Sequence, residues 1–245
     1  MNHVFVQARL SSTRLPGKIM KKILNKTIIE LVIERLYKVE NIDKVVVVTG
    51  TKEKNLELIN EIKRLGLDYF CGNEENVLDR FYKASNEFSP DNIIRVTADC
   101  PLIDFNIISR ALETFAKSEY DILSNNRIKS YPHGFEFEIF KKEALHRAWN
   151  ELSKKYAKNE FEQIFVNPTQ YMLQTQGFKN YDLVHTQNLS HLRLTLDYPE
   201  DLKLITLIYE LLYHVNRYFT LNDILVLIQN NPSLLNINKR YADNN

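Results

Sequence analysis

The sequence predicts an α/β protein built on a mainly parallel sheet flanked by helices. Three observations predict it. Strand and helix patterns alternate through the first half, the strand-like runs are apolar on both faces, and a loop dense in positive charge follows directly on the first of them. Strands covered on both sides lose polar alternation and become β-branched runs. Lys44–Thr49, with four consecutive valines, is the clearest example.

Val4–Ala8 is the first strand, and the Arg9–Lys18 loop leaves its end. Thr27 and Glu30 have the spacing of a capping box, and Ile28, Leu31, Val32 and Leu36 then share one helical face. Lys44–Thr49 is the second strand. Leu56, Ile59, Ile62 and Leu65 mark a helix that Gly66 is placed to end. Asp68–Cys71 is a short strand, Val77–Phe88 a helix and Ile93–Thr97 a strand. This order implies right-handed crossovers between parallel strands, with ligands beyond the strands' carboxyl ends. The Arg9–Lys18 loop, Thr49-Gly50 and Thr97-Ala98-Asp99 should therefore converge.

The second half is more mixed. Phe105–Ser118 reads as a helix. Asp121–Ser124 and Phe135–Phe140 read as strands around a turn at Tyr131-Pro132-His133-Gly134. Lys141–Leu152 is helical, and Ser153–Gly177 lacks a clear period. Leu192–Leu196 reads as a strand. Pro199 opens a helix through about Tyr213, and Thr220 caps a last helix that ends before Asn231-Pro232. No boundary divides the chain, so one domain over 1–245 is expected, with an excursion around 125–190.

Composition narrows the partners. The 245 residues are 44% hydrophobic, with a formal net charge of +1, so no bulk field draws the chain to nucleic acid or an anionic membrane. Two cysteines, Cys71 and Cys100, make neither a disulfide framework nor a zinc site, and the six histidines show no paired metal spacing. No signal-peptide pattern and no membrane-length apolar run is visible. A cytoplasmic protein is the expectation.

The cationic loop carries Arg9, Arg14 and Lys18 among hydroxyls, a proline and a glycine. Gly17-Lys18 is not a Walker A ending, because no earlier glycine stands at the required position and Ile19 follows the lysine. The loop would hold phosphates with side chains: arginine forks and a lysine point charge. Asp99 ends a buried strand just before Cys100-Pro101. Asp197 repeats the design before Tyr198-Pro199. Each aspartate alone could cap a turn or a helix. Together they suit Mg²⁺, which needs few protein carboxylates when a nucleotide supplies phosphate oxygens. Cys100 has no base beside it in sequence, so core packing is expected for it.

Gln7-Ala8-Arg9, Ser12–Lys18, Val77–Tyr82, Thr97–Asp104 and Leu192–Asp201 together resemble the cytidylyltransferase family. The nearest branch resembles spore-coat polysaccharide biosynthesis proteins, with CMP-Kdo and CMP-sialic acid synthetases more distant. The resemblance spans about Val4 to Tyr213. It implies a Rossmann-like sheet of the nucleotide-diphospho-sugar transferase, or glycosyltransferase-A, type. It implies a nucleotidyltransferase that moves CMP from CTP to a small acceptor: an acidic sugar, a sugar phosphate or a phosphorylated metabolite. By the same resemblance Arg9, Arg14 and Lys18 match the triphosphate signature, with Arg9, Lys18 and Asp99 in the catalytic set. Asp99 and Asp197 match the Mg²⁺ carboxylates. Gln7, Ala8, Thr49, Gly72 and Arg80 fall where the base is recognised. The family's homodimers imply a dimer through the excursion, where Tyr156, Phe161, Ile164, Phe165, Tyr171 and Met172 supply apolar area.

Glu136 and Glu138 are two apart, so on a strand they share one face. They are candidates for acceptor binding, against the alternative of an amphipathic edge strand. Asn159–Glu162 stands where relatives in pattern carry an R-E-H-type segment, which leaves acceptor specificity open.

Overall fold

The protein is represented by a computed structural model in which residues 1–157, 160–161 and 166–242 are described. Seven strands form one sheet in the order β5-β4-β1-β6-β8-β7-β9. These are β1 (Asn2–Gln7), β4 (Lys44–Thr49), β5 (Asp68–Cys71), β6 (Asn92–Thr97), β7 (Ile122–Ser124), β8 (Phe137–Lys141) and β9 (Asn180–Asp182). A separate small hairpin joins β2 (Lys22–Ile23) to β3 (Lys26–Thr27). The strands β5, β4, β1 and β6 are mutually parallel. β8 runs antiparallel to both β6 and β7, and β9 joins β7 in parallel. The mainly parallel mixed sheet is as expected from the sequence.

The period-2 rule sorts the core into two layers. Val4, Val6, Val45, Val47, Ile94 and Val96 face one side. There they meet α1 (Ile28–Leu36), α2 (Leu56–Arg64), α4 (Phe105–Ala116) and the helices Pro199–Leu212 and Leu221–Asn230. Phe5, Val46, Val48 and Ile93 face the other side. They pack on α3 (Val77–Phe88) and α5 (Lys142–Ser153). Helices on both faces explain why the central strands read as unbroken apolar runs.

Some expectations needed correction. The Thr27 hydroxyl does accept from the Glu30 amide, but the reciprocal half of the capping box is missing. Glu30 instead pairs with Lys26 and Arg64, since opposite charges lie within reach of its carboxylate. Leu192–Leu196 is not a strand. It makes a single bridge, His133 with Arg193, and its amides go to the His133 and Asp99 carbonyls rather than to a ladder. β8 starts at Phe137, two residues later than read, because the Phe135 amide is held by Pro132 in the preceding turn. β9 and the helix Gln170–Gln174 were not anticipated.

Two of the excursion's apolar side chains are used internally. Phe161 and Met172 are buried against α3 and α5, Tyr171 is half-buried, and Tyr156 is exposed. Ile164 and Phe165 lie outside the described residues, as do Asn159 and Glu162 of the atypical segment. No helix among the described residues is long and apolar enough to cross a membrane.

Gly134 sets how closely the 192–197 segment approaches the sheet. Its φ of 106° lies in the region that favours glycine, and an added Cβ would stand 2.6 Å from the Leu194 carbonyl and the Thr195 nitrogen. Gly134→Ala is therefore expected to cost about 2 kcal/mol or more of unfolding free energy in urea titration. A variant as stable as the parent would show that the backbones can separate without penalty.

Candidate active site

The crevice arises from strand order. From β1 the chain steps to β4 on one side, and β6 later joins on the other. Connections leaving β1 and β6 therefore diverge and open a gap at their carboxyl ends. A cleft of about 240 Å³ lies there, lined by Gln7, Ala8, Arg9, Arg14, Lys18, Thr97, Asp99 and Asp197 among others. The cationic loop and the two aspartates thus meet although Lys18 and Asp197 are 179 residues apart.

Lys18 is at the centre. Its Nζ donates to Asp99 Oδ2 at 2.6 Å and to Asp197 Oδ1 at 2.8 Å. Gly17, at a φ of 63°, turns the chain into the short 3-10 helix Lys18–Met20, and buried Ile19 anchors that turn in the core. Burial lowers the Lys18 pKa, but the charges and hydrogen bonds of Asp99 and Asp197 outweigh it, so the ammonium is held above its ordinary value. Burial raises Asp99 in turn. Lys18, with help from Thr97, outweighs that and keeps the carboxyl below its usual range. Arg14 reaches Asp197 Oδ2 at 2.9 Å. Arg9 is exposed on the cleft and has no ion-pair partner among the described residues.

The second aspartate is braced from behind. Arg193 is buried and makes a bidentate pair with Asp201, Nε to Oδ1 at 3.0 Å and Nη2 to Oδ2 at 2.9 Å. Asp201 also accepts from the amides of Asp197 and Tyr198, and Asn238 donates to it at 2.8 Å. Arg193 Nη2 contacts Asp197 Oδ2 at 3.4 Å. The Asp99 carbonyl accepts from the Leu196 amide at 2.9 Å and the Thr195 hydroxyl at 3.3 Å, which ties the two aspartate segments together. Sequence reading gave Arg193 and Asp201 no role beyond their place in the Leu192–Asp201 stretch. A lone arginine inside an apolar run, eight residues before that aspartate, was the available signal.

A second cleft of about 360 Å³ continues from the first and shares Arg14, Thr97, Asp99 and Asp197. Glu136 lines it, together with Arg95, Asn126, Lys129 and His133. Burial raises the Glu136 pKa against the pull of His133 and the Gly134 amide. Glu138 has a different environment. Its side chain is buried in β8 and pairs with Arg95 at 2.7 Å, while Arg95 Nε donates to Gln7 Oε1. Because Glu136 precedes β8, the alternation rule does not place the two carboxylates together. Arg95, Lys129 and His133 were not singled out from the sequence.

Thr49, Gly72 and Arg80 stand apart from the charged cleft. Thr49 is fully buried and its hydroxyl has no hydrogen-bond partner among the described residues. Gly72 lets Arg80 lie close, since a Cβ there would meet Arg80 Cγ at 2.9 Å. Burial pulls the Arg80 guanidinium down to about 10 despite Glu74, with Arg9 and Arg95 adding to the effect. Glu74 itself ties the loop down, accepting from the Ser11 hydroxyl and the Thr51 amide. Cys100 is buried, and burial raises its thiol well above the ordinary value, as a packing role requires.

The donor set accommodates a hard divalent ion without enclosing it. Two carboxylate oxygens contact one ammonium, so they lie no farther apart than two hydrogen bonds laid end to end. Among the described residues, no group of three or more His, Cys, Asp or Glu gathers as a closed metal cage. Two acids with room beside them suit Mg²⁺ completed by substrate phosphates.

A cytidylyltransferase family model matches residues 3–224. An uncharacterised protein of Methanocaldococcus jannaschii is 32% identical over 95% of this chain and 92% of its own length. The spore coat polysaccharide biosynthesis protein SpsF of Bacillus subtilis is 35% identical over 40% of this chain and 43% of its own. The 3-deoxy-manno-octulosonate cytidylyltransferase of Christiangramia forsetii is 31% identical over 49% and 48%. Against these last two relatives the match spans under half of either protein. The structure of a cytidylyltransferase from Leptospira borgpetersenii superposes with a TM-score of 0.83 over 95% of both chains at 27% identity. With the family match and its full-length relative behind it, the chain belongs to the cytidylyltransferase family.

Proposed function

We propose that this protein transfers CMP from CTP to a small acceptor and releases pyrophosphate, in a Mg²⁺-dependent reaction that serves surface polysaccharide biosynthesis. One observation carries the reading: three cations of the first loop meet Asp99, from mid-chain, and Asp197, from much later in the chain, at the carboxyl ends of β1 and β6. The family and the names of its relatives support the base and the pathway. The acceptor is drawn from acidic sugars, sugar phosphates and phosphorylated metabolites, and the second cleft is where it would lie against Glu136, Lys129 and His133.

In this reading the acceptor oxygen attacks the α-phosphorus in line and pyrophosphate leaves. Arg9, Arg14 and Lys18 hold the triphosphate and neutralise charge that builds on the departing group. Asp99 and Asp197 would hold Mg²⁺, which supplies further neutralisation of phosphate oxygens. Arg193 neither leaves its place nor reaches the substrate; it keeps Asp197 aimed. The test is pyrophosphate release from CTP, UTP, ATP and GTP, each with a panel of the three acceptor classes. Release with CTP alone supports the assignment, and release with another nucleotide but not CTP overturns it.

Two predictions follow from the charges. Arg9→Ala removes an exposed guanidinium with no ion-pair partner among the described residues, so the melting temperature without ligand should not move. The stabilisation by CTP should fall to that of about tenfold weaker binding, read by thermal shift or calorimetry. An unchanged CTP response would remove Arg9 from the phosphate site.

The second concerns pH. Asp99 has a lower pKa folded than unfolded, so its ionised form contributes stability above about pH 4, its unfolded value, and loses it as pH falls through the folded value. Compared with Asp99→Asn, the parent's unfolding free energy should stay level between about pH 6 and 8 and then decline relative to the variant below about pH 4. Parallel curves down to strongly acidic pH would mean that Lys18 does not stabilise that carboxylate.

A further inference from the structure

We propose that the Lys18 ammonium is the resident counter-cation of the Asp99–Asp197 pair in the nucleotide-free protein, and that a divalent ion enters only when a triphosphate draws this ammonium away. The inference rests on the reading that the crevice takes a nucleotide with a divalent ion. It adds an order of loading and a reason for it.

The geometry is specific. One Nζ lies 2.6 Å from Asp99 Oδ2 and 2.8 Å from Asp197 Oδ1, so it holds the point between the two acids. Lys18 is the only ion-pair partner of Asp99 among the described residues. Asp197 also takes Arg14 at 2.9 Å and Arg193 at 3.4 Å. The pair is therefore already neutralised before any metal arrives. A Mg²⁺ ion bound by the same oxygens at about 2.0–2.1 Å would stand beside the ammonium, like charge against like. Mg²⁺ also sheds water reluctantly, so a carboxylate pair that is already satisfied gives it little reason to bind.

A triphosphate changes that balance by offering the loop cations a stronger anion. Lys18 sits on a flexible four-carbon stem, and the Arg14 side chain is 52% exposed, so both can turn towards phosphate oxygens. Arg193 cannot follow, because Asp201 holds it bidentately and its side chain is only 2% exposed. The exchange is thus confined to two cations of one loop. They pass from carboxylates to phosphates while the divalent ion takes their place on the acids. Metal would arrive with the nucleotide and not ahead of it.

The experiment measures Mn²⁺ binding to the nucleotide-free protein by electron paramagnetic resonance or calorimetry. The parent is compared with Lys18→Met and Lys18→Gln, each checked for folding by circular dichroism and melting. The expected result is one Mn²⁺ per chain bound at least about tenfold more tightly by the variants than by the parent. Adding Asp99→Asn to either variant should abolish the gain. Folded variants that gain no Mn²⁺ affinity overturn the proposal. If neither variant folds, the parent decides alone: Mn²⁺ held at sub-millimolar concentration without nucleotide overturns it, and Mn²⁺ held only once CTP is added supports it. A parallel melt of the parent with CTP and Mg²⁺ separates the two levels. No stabilisation there defeats the nucleotide reading itself. Stabilisation with a failed Mn²⁺ arm defeats only the exchange.

Discussion

The position of β1 between β4 and β6 is the constraint from which the rest follows. A strand in the middle of a parallel set cannot send its chain onwards without clearing both neighbours. The backbone must climb off the sheet at Ala8, and β6 must do the same at Ala98. Backbone groups freed at those ends are partly satisfied by one another, as when the Ala98 amide donates to the Gln7 carbonyl. What remains is a shelf with apolar support beneath and space above. The pairing order places the cationic loop and Asp99 at this shelf, whereas Asp197 is brought over it by the 192–197 segment and the Arg193–Asp201 pair behind it.

The charges then divide by mobility. Arg193 and Asp201 form a buried bidentate pair that caps the amides of Asp197 and Tyr198, so it acts as framework. Arg95, paired with buried Glu138 and bonded to Gln7, is likewise held in place in the wall of the second cleft. By contrast Arg9, Arg14 and Lys18 ride on a loop tied down at a few points: Glu74 on Ser11, Asn55 on the Leu10 amide, and Leu15 and Ile19 in the core. The buried pairs keep the acids in register, and a site that bound and released a multiply charged substrate, as proposed above, would gain from loop cations able to change partners.

Much of this was legible in the sequence because its causes are local. The valines of Lys44–Thr49 and the caps at Thr27 and Thr220 follow from burial and helix chemistry within a few residues. The convergence of Arg9–Lys18 with Asp99 followed from topology alone. Failures came where a distant partner decided the outcome. Leu192–Leu196 has the composition of a strand, yet it lies across Gly134 and Asp99 with no ladder to join. Glu138 looked equivalent to Glu136 by spacing, but the buried Arg95 on β6 claims it. Arg193 carried no motif. Its meaning appears only when Asp201 and Asn238 are brought to it.

Asn238 and the stacked rings of Tyr198 and Tyr241 have a consequence for how the protein's boundaries are drawn. Asn238 and Tyr241 lie beyond residue 224, where the family match ends. Asn238 nevertheless grips the Arg193 carbonyl and the Asp201 carboxylate, and Tyr241 covers the ring that follows Asp197. An expression boundary chosen from the family alignment would cut away this clasp and leave the acid it steadies on a loose hinge. A tail far from any signature motif thus bears on how firmly Asp197 is held.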